Sequence, residues 1–345
     1  MSTLVKEGKA LSLLEPRRVA YTSHTVKEQL DSREVLIKMT SVSVCETDVK
    51  IYEGEIKTAK LPIVPGHEGV GEVVRVGPMV SNISVGDLVL IDPNVYDSTC
   101  EFCRRGKQNL CPNGGLLGRD YDGLFREYLT LPEHNVFKLP RNIDLKIAPL
   151  IQPLSTIIHA QKMVDVSPGD IVAVIGTGTT GLMHVQLAKA RGARVIGVER
   201  DPFRMKMAKE VGADDVVFSD ERAKDEIMRI TDGQGVDAVI EAVGLPETFS
   251  LGWSIVKPGR PVLMFGISSK PLPIPGYDLY FKEIRVIGTR SSVASDFLDA
   301  IRMVSEGKVR LEPLVTSTVK FDEALDVFET IKREKTRMIR TMIMF

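Results

Sequence analysis

From about residue 170 onward one pattern repeats and leaves few folds open. Short apolar runs at 171–175, 194–198, 215–218, 236–240, 261–265 and 284–287 alternate with helix-length stretches, the first at 181–191. Runs without polar alternation belong to strands buried on both faces. Strands that alternate with helices build a parallel sheet with helices on each side. Upstream, to about residue 150, the rhythm differs. Apolar segments at 34–39, 69–77 and 86–91 are closely spaced and separated by turns, which suits an antiparallel barrel or sandwich. The tail carries two helical patterns and ends in an apolar strand at 338–345, too short for a third domain. The expected division is a β-rich domain at 1–155, completed by 295–345, and an α/β domain at 156–294. No internal repeat or low-complexity segment interrupts it.

The 345 residues suffice for two domains of about 150 residues each. A net charge of −1 gives no footprint for nucleic acid or an anionic membrane. The basic stretch at 332–337 is short and broken by Glu334, and reads as a solvated helix end. No apolar run reaches the roughly 18 residues of a membrane span. The first residues, Met1 to Glu7, lack the apolar core of a signal peptide. A cytoplasmic protein is expected.

Between the first two strands of the α/β half stands Gly176-Thr177-Gly178-Thr179-Thr180-Gly181. The first glycine permits the tight turn and the second lets backbone approach a pyrophosphate. The third allows close helix–strand packing, with the phosphates on the helix N-terminus beside Thr179 and Thr180. Glu199 ends the next strand, where this motif expects an acid for ribose hydroxyls. Its carboxylate would repel a 2′-phosphate, which favours NAD over NADP. Arg200 and Arg204 follow closely, and either could receive that phosphate.

The four cysteines divide unevenly. Cys100, Cys103 and Cys111 lie within one short loop, a spacing that favours a metal over disulfides in a reducing compartment. Asp97 precedes Cys100 by the step that separates Cys100 from Cys103, and is the natural fourth ligand of a structural zinc. Cys45 stands apart, upstream of Pro65-Gly66-His67-Glu68-Gly69. Cys45, His67 and Glu68 suit a catalytic zinc, which keeps one position open for water or substrate. Adjacent His67 and Glu68 reach one metal only from a bent backbone, which the flanking Pro65, Gly66 and Gly69 would supply.

These motifs, with Cys45-Glu46-Thr47-Asp48, Val85-Gly86-Asp87, Asp122-Gly123-Leu124-Phe125-Arg126-Glu127-Tyr128 and Ile339-Arg340-Thr341, resemble the zinc-dependent medium-chain alcohol dehydrogenases over essentially the whole chain. Within that family the likeness is to the polyol, threonine and sugar dehydrogenase branch. The resemblance implies an α/β protein with a GroES-like β-rich catalytic domain and a Rossmann doubly wound parallel sheet, the chemistry lying in the cleft between them. It implies hydride transfer between an alcohol and NAD, with one catalytic and one structural zinc. Cys45 and His67 would hold the catalytic zinc, with Glu68 ligating or just behind it. Thr47 would take the substrate proton, Asp48 would orient His67, and Arg340 would contact the cofactor pyrophosphate. Relatives are dimers or tetramers, so a homo-oligomer, and a homotetramer in particular, is expected.

Three positions depart from the family pattern. Asp97 replaces a cysteine, Lys50 stands where many relatives have a relay histidine, and Gln152 replaces a glutamate before Pro153. An amide at 152 removes a negative charge near the catalytic zinc. Some sugar dehydrogenases resemble this chain there, and polar Glu46, Lys50 and Arg126 suit a polyhydroxylated substrate. A polyol, sugar or other secondary alcohol is expected; the alternatives are simple alcohols or an L-threonine 3-dehydrogenase-like activity. A zinc-free reductase of the same superfamily would not need Cys45 with His67-Glu68. A non-catalytic binding protein would not need the complete set.

Overall fold

The computed structural model describes residues 5–27, 29–334 and 336–345. The leader-free reading of Met1, Ser2, Thr3 and Leu4, and Lys335 of the basic stretch, lie outside the described residues. The chain divides into two compact units. One comprises Met1–Pro153, Val293–Ser305 and Leu314–Phe345; the other comprises Leu154–Ser292 and Glu306–Pro313.

The first unit is built around the strand Glu34–Val44. Its Val35, Ile37, Met39 and Val42 are fully or almost fully buried. One edge pairs antiparallel with Glu68–Val76. The other edge is shared, Tyr128–Pro132 taking residues 34–38 and Arg340–Met344 taking residues 41–44. The register with Glu68–Val76 shifts at Leu36/Ile37, where Val74 is the extra residue, and at Met39/Ser41, where Thr40 is. The sheet runs Val315–Lys320, Arg340–Met344, Glu34–Val44, Glu68–Val76, Leu88–Ile91, Val136–Lys138, and a hairpin of Val5–Glu15 with Arg18–Lys27 lies apart. The tail strand is therefore inserted beside the strand that ends at Val44. Phe328 of the tail helix Val327–Arg333 stacks on Tyr52, ring centroids 4.8 Å apart, fastening the tail to the helix Glu46–Tyr52.

The second unit is a six-stranded parallel sheet in the order Asp215–Phe218, Arg194–Glu199, Ile171–Ile175, Ala238–Glu241, Pro261–Met264, Arg285–Gly288. By chain order this is 3-2-1-4-5-6, a doubly wound arrangement whose switch point lies between the first and fourth strands. The helix after the glycine turn spans Thr179–Ala190 and starts two residues earlier than the spacing predicts, because Gly178 already serves as its extended N-cap. Gly181 through Ala188 of that helix are buried, polar His184 and Gln186 among them.

Candidate active site

The ladder brings distant residues to one end of the first sheet. Ser43 pairs with Glu68 and Val44 with Thr341, so Cys45, Glu68 and Arg340 converge there. Cys45 leaves the strand in an extended conformation and N-caps the helix Glu46–Tyr52. His67 follows Gly66, whose φ of +94° is the left-handed bend the adjacent ligands require. A Cβ on Gly66 would fall 2.3 Å from the Phe125 ring, so the position is closed to any side chain. Leu124 and Phe125 donate backbone N–H groups to the Gly66 and Pro65 carbonyls, and Asp122 Oδ1 accepts from Val64 N–H at 2.9 Å. The 122–125 segment thus braces the bend.

One donor atom each from Cys45, His67 and Glu68 lies within 4.8 Å of the others. Asp48, fully buried, stands behind them. Its Oδ2 accepts from Cys45 N–H at 2.8 Å and its Oδ1 from Gly66 N–H at 3.0 Å. The same Oδ1 is 3.4 Å from His67 Nδ1, an ion-pair distance short of a formed hydrogen bond. Burial opposes a charged imidazole, yet Asp48 and the Cys45 sulfur outweigh it and hold the proton affinity of His67 well above its ordinary range. Arg340 donates to Glu68 Oε1 at 3.0 Å and to the Val44 carbonyl at 2.8 Å. Burial disfavours its charge, but Glu68 overrides that and keeps it ionised. The guanidinium is only 5% exposed; Nη1 and Nη2 are engaged by Val44 and Glu68, while Nε has no hydrogen-bond partner.

A divalent cation fits this arrangement on the structure's own terms. Glu68 Oε2 is buried without a hydrogen-bond partner. The anionic surroundings of His67 favour positive charge at this point, and sulfur, nitrogen and oxygen donors are the set zinc takes. Thr47 is half-buried in the first turn of the same helix, and Lys50, on its last turn, is exposed. Gln152 is buried in the first turn of the helix Ile151–Lys162. Arg126, offered by the sequence as a polar group for a polyhydroxylated substrate, is engaged by protein groups instead. It is buried, donates to His24 Nε2 at 3.0 Å and to the Asp122 carbonyl at 3.3 Å, and is lowered to about 10 by that burial.

In the loop lobe, donors of Asp97, Cys100, Cys103 and Cys111 also lie within 4.8 Å of one another. Cys100 N-caps the short helix Glu101–Arg104, its sulfur accepting the Cys103 N–H, and its Sγ is 3.9 Å from that of Cys111. All four cysteines of the chain are free thiols. Three donors, led by the Cys100 N–H, hold the Asp97 carboxyl well below the usual range. A carboxylate and three thiols facing one point also fit zinc.

At the switch point of the second unit Gly176 has φ +87°, and a Cβ on Gly181 would lie 1.9 Å from the Gly176 carbonyl. Both glycines are therefore obligatory. Glu199 is 7% exposed, and its oxygens accept from the backbone N–H groups of Thr177 at 2.9 Å and Arg200 at 2.8 Å. It ties the glycine turn to the following turn, a role the spacing alone does not reveal. The Arg204 guanidinium reaches the same turn, its Nη1 3.7 Å from the Cβ position of Gly178. Arg200 is exposed beside Glu199, while Thr179 and Thr180 are half-buried at the helix start.

Comparison with known proteins identifies the family. Residues 31–141 match the alcohol dehydrogenase GroES-like domain and residues 179–306 the zinc-binding dehydrogenase domain. The chain belongs to the zinc-dependent medium-chain alcohol dehydrogenases. It is an oxidoreductase with GroES-like and Rossmann folds, acting on an alcohol with zinc and a nicotinamide cofactor. It is 37% identical to an L-threonine 3-dehydrogenase of Pyrococcus abyssi, covering 90% of this chain and 91% of that one. It is 32% identical to D-xylulose reductase A of Aspergillus oryzae, covering 94% and 93%. Among solved structures, a zinc-binding dehydrogenase of Sinorhizobium meliloti bound to NADP superimposes with a TM-score of 0.89 at 28% identity, covering 99% of this chain and 100% of that one. Among the described residues no helix is long and apolar enough to cross a membrane.

Proposed function

We propose that the substrate is a polyol, sugar or similar secondary alcohol and that NAD is the preferred cofactor. The convergence of Cys45, His67 and Glu68 on one point, with Asp48 and Arg340 behind them, carries the alcohol chemistry. Buried, uncharged Gln152 and the likeness to D-xylulose reductase A favour the polyhydroxylated substrate, and Glu199 favours NAD. Cys45 and His67, with Glu68 ligating or just behind, hold the catalytic zinc; Asp97, Cys100, Cys103 and Cys111 hold the structural one. When bound, zinc would supply Lewis acidity and the nicotinamide a hydride acceptor. Thr47 takes the hydroxyl proton, and Lys50, three residues on along the same helix, stands where a relay would carry it outward. Asp48 fixes the orientation of His67. Arg340 neutralises Glu68 and so limits the negative charge the metal feels; a pyrophosphate contact by one of its remaining N–H groups belongs to the same reading. Uncharged Gln152 acts in the same direction.

On the cofactor side the Gly176, Gly178 and Gly181 turn, with Thr179 and Thr180, carries the pyrophosphate. Glu199 disfavours a 2′-phosphate, and Arg200 and Arg204 line the same turn. The catalytic domain is assigned to 1–155 and 295–345 and the cofactor domain to 156–294, although Glu306–Pro313 belongs to the second compact unit. Reduced, metal-binding cysteines suit the cytoplasm. A homo-oligomer, dimer or tetramer, is supported by the helix Gly276–Lys282, which has no buried residue. It exposes Tyr277, Tyr280 and Phe281 next in sequence to Arg285–Gly288, an edge strand of the parallel sheet among the described residues.

The likeness to an L-threonine 3-dehydrogenase favours a second reading, with L-threonine as the alcohol. Nicotinamide absorbance with NAD or NADP against polyols, aldoses, simple alcohols and L-threonine separates them. Turnover confined to polyols or aldoses supports the first reading, and turnover confined to L-threonine replaces it. Cys45→Ser is expected to lose the catalytic zinc and nearly all turnover; full activity with zinc retained refutes the assignment.

A further inference from the structure

Asp97 is a hard, weakly matched donor among three soft thiols, and the structure compensates in its surroundings. Its Oδ1 accepts backbone N–H groups from Thr99 at 2.8 Å and Cys100 at 2.9 Å, which fixes the carboxylate to the arm carrying Cys100 and Cys103. Its Oδ2 accepts from Asn113 Nδ2 at 2.7 Å. Asn113 sits in the turn closed by the Gly114 N–H to the Cys111 carbonyl at 3.2 Å, on the arm that carries the third thiol. The amide therefore joins the two arms through the carboxylate. Backbone donors hold Oδ1 and Asn113 bonds Oδ2, so the amide sets the direction of that oxygen.

We propose that Asn113 is the positioning residue of the Asp97, Cys100, Cys103 and Cys111 site, holding Asp97 in the pose in which a carboxylate replaces a fourth thiolate. The inference rests on the reading that this lobe takes a structural zinc. Outer hydrogen-bond partners of ligands change metal affinity by about 10–100-fold, and preorganisation lowers the cost of ordering a ligand. A thiolate at position 97 would have no need of the amide. Asn113 is exposed, so its replacement leaves the core intact.

The test uses the purified zinc-loaded enzyme, its zinc stoichiometry, and the rate of zinc transfer to a coloured chelator. Asn113→Ala is expected to speed release of one of two zincs by about 10–100-fold. Asn113→Asp, which removes the donor and adds a like charge, is expected to speed it further. Asp97→Cys should make the site indifferent, so that Asp97→Cys/Asn113→Ala releases zinc as slowly as Asp97→Cys alone. Wild-type release from Asn113→Ala overturns the proposal. So does a double variant as fast as Asn113→Ala, since Asn113 would then hold the loop rather than the ligand. A wild-type enzyme that retains a single zinc with the lobe thiols freely reactive sinks the two-site reading and this inference with it.

Discussion

Asp48→Asn offers the sharpest test of how the catalytic set is held. The carboxylate faces three N–H groups, on Cys45, Gly66 and His67, with no exposure to water. An amide has the same shape but only one acceptor oxygen, and its NH2 must face at least one of those donors. If the oxygen stays with Gly66 and His67, the Cys45 N–H loses a charge-assisted bond of about 1.5–3 kcal/mol and is left buried and unsatisfied. Allowing for overlap between those effects, the variant should lose about 2–4 kcal/mol of stability. That is about 2–4 °C of Tm per kcal/mol for a unit of 150–250 residues. Loss of the carboxylate beside His67 should weaken catalytic zinc by about 10–100-fold. Dialysis against graded chelator, followed by zinc analysis and thermal melting, reads both effects, with the lobe zinc as internal reference. Two zincs held at wild-type chelator resistance, with an unchanged melting temperature, would refute the reasoning.

Gly66→Ala combines a left-handed backbone with a clash against the Phe125 ring. It should cost about 1–3 kcal/mol for overpacking alone and lower kcat through the displaced His67; a variant that melts and turns over like wild type removes the bend from the argument. His184 is fully buried and its pKa is lowered to about 3, by burial first and Arg191 second. A depressed histidine contributes stability present above its unfolded value near 6.5 and lost as pH falls toward the folded value, on the order of 3 kcal/mol at pH 4. Denaturant titrations of His184→Gln should accordingly show a flatter acid limb between pH 6.5 and 4, and an unchanged limb would count against this linkage. Glu199→Ser should lower the NAD to NADP ratio of kcat/KM while leaving the Thr177 N–H unpaired; a constant ratio would place discrimination elsewhere, with Arg204 the next residue to vary.

The parts of this protein legible in its sequence are those whose partners are close along the chain. The alternation of apolar runs and helical stretches specifies a doubly wound sheet, because burial on both faces needs an unbroken apolar run. The glycine turn and the cysteine loop are likewise local, their geometry following from spacing of a few residues. Boundaries slipped where capping decided them, as at Thr179, where Gly178 was already serving as the N-cap. Tertiary structure alone decided the rest. Glu68 and Arg340 are separated by 272 positions, and only the insertion of the tail strand beside Val44 brings them together. Nothing near Gly66 announces that Phe125 closes it, nothing in the spelling of Asn113 links it to Asp97, and only the fold shows that Arg126 is buried against His24. Local preferences act through neighbouring dihedrals, whereas these contacts are selected by packing and by the need to satisfy buried charge, which exist only once the chain has folded.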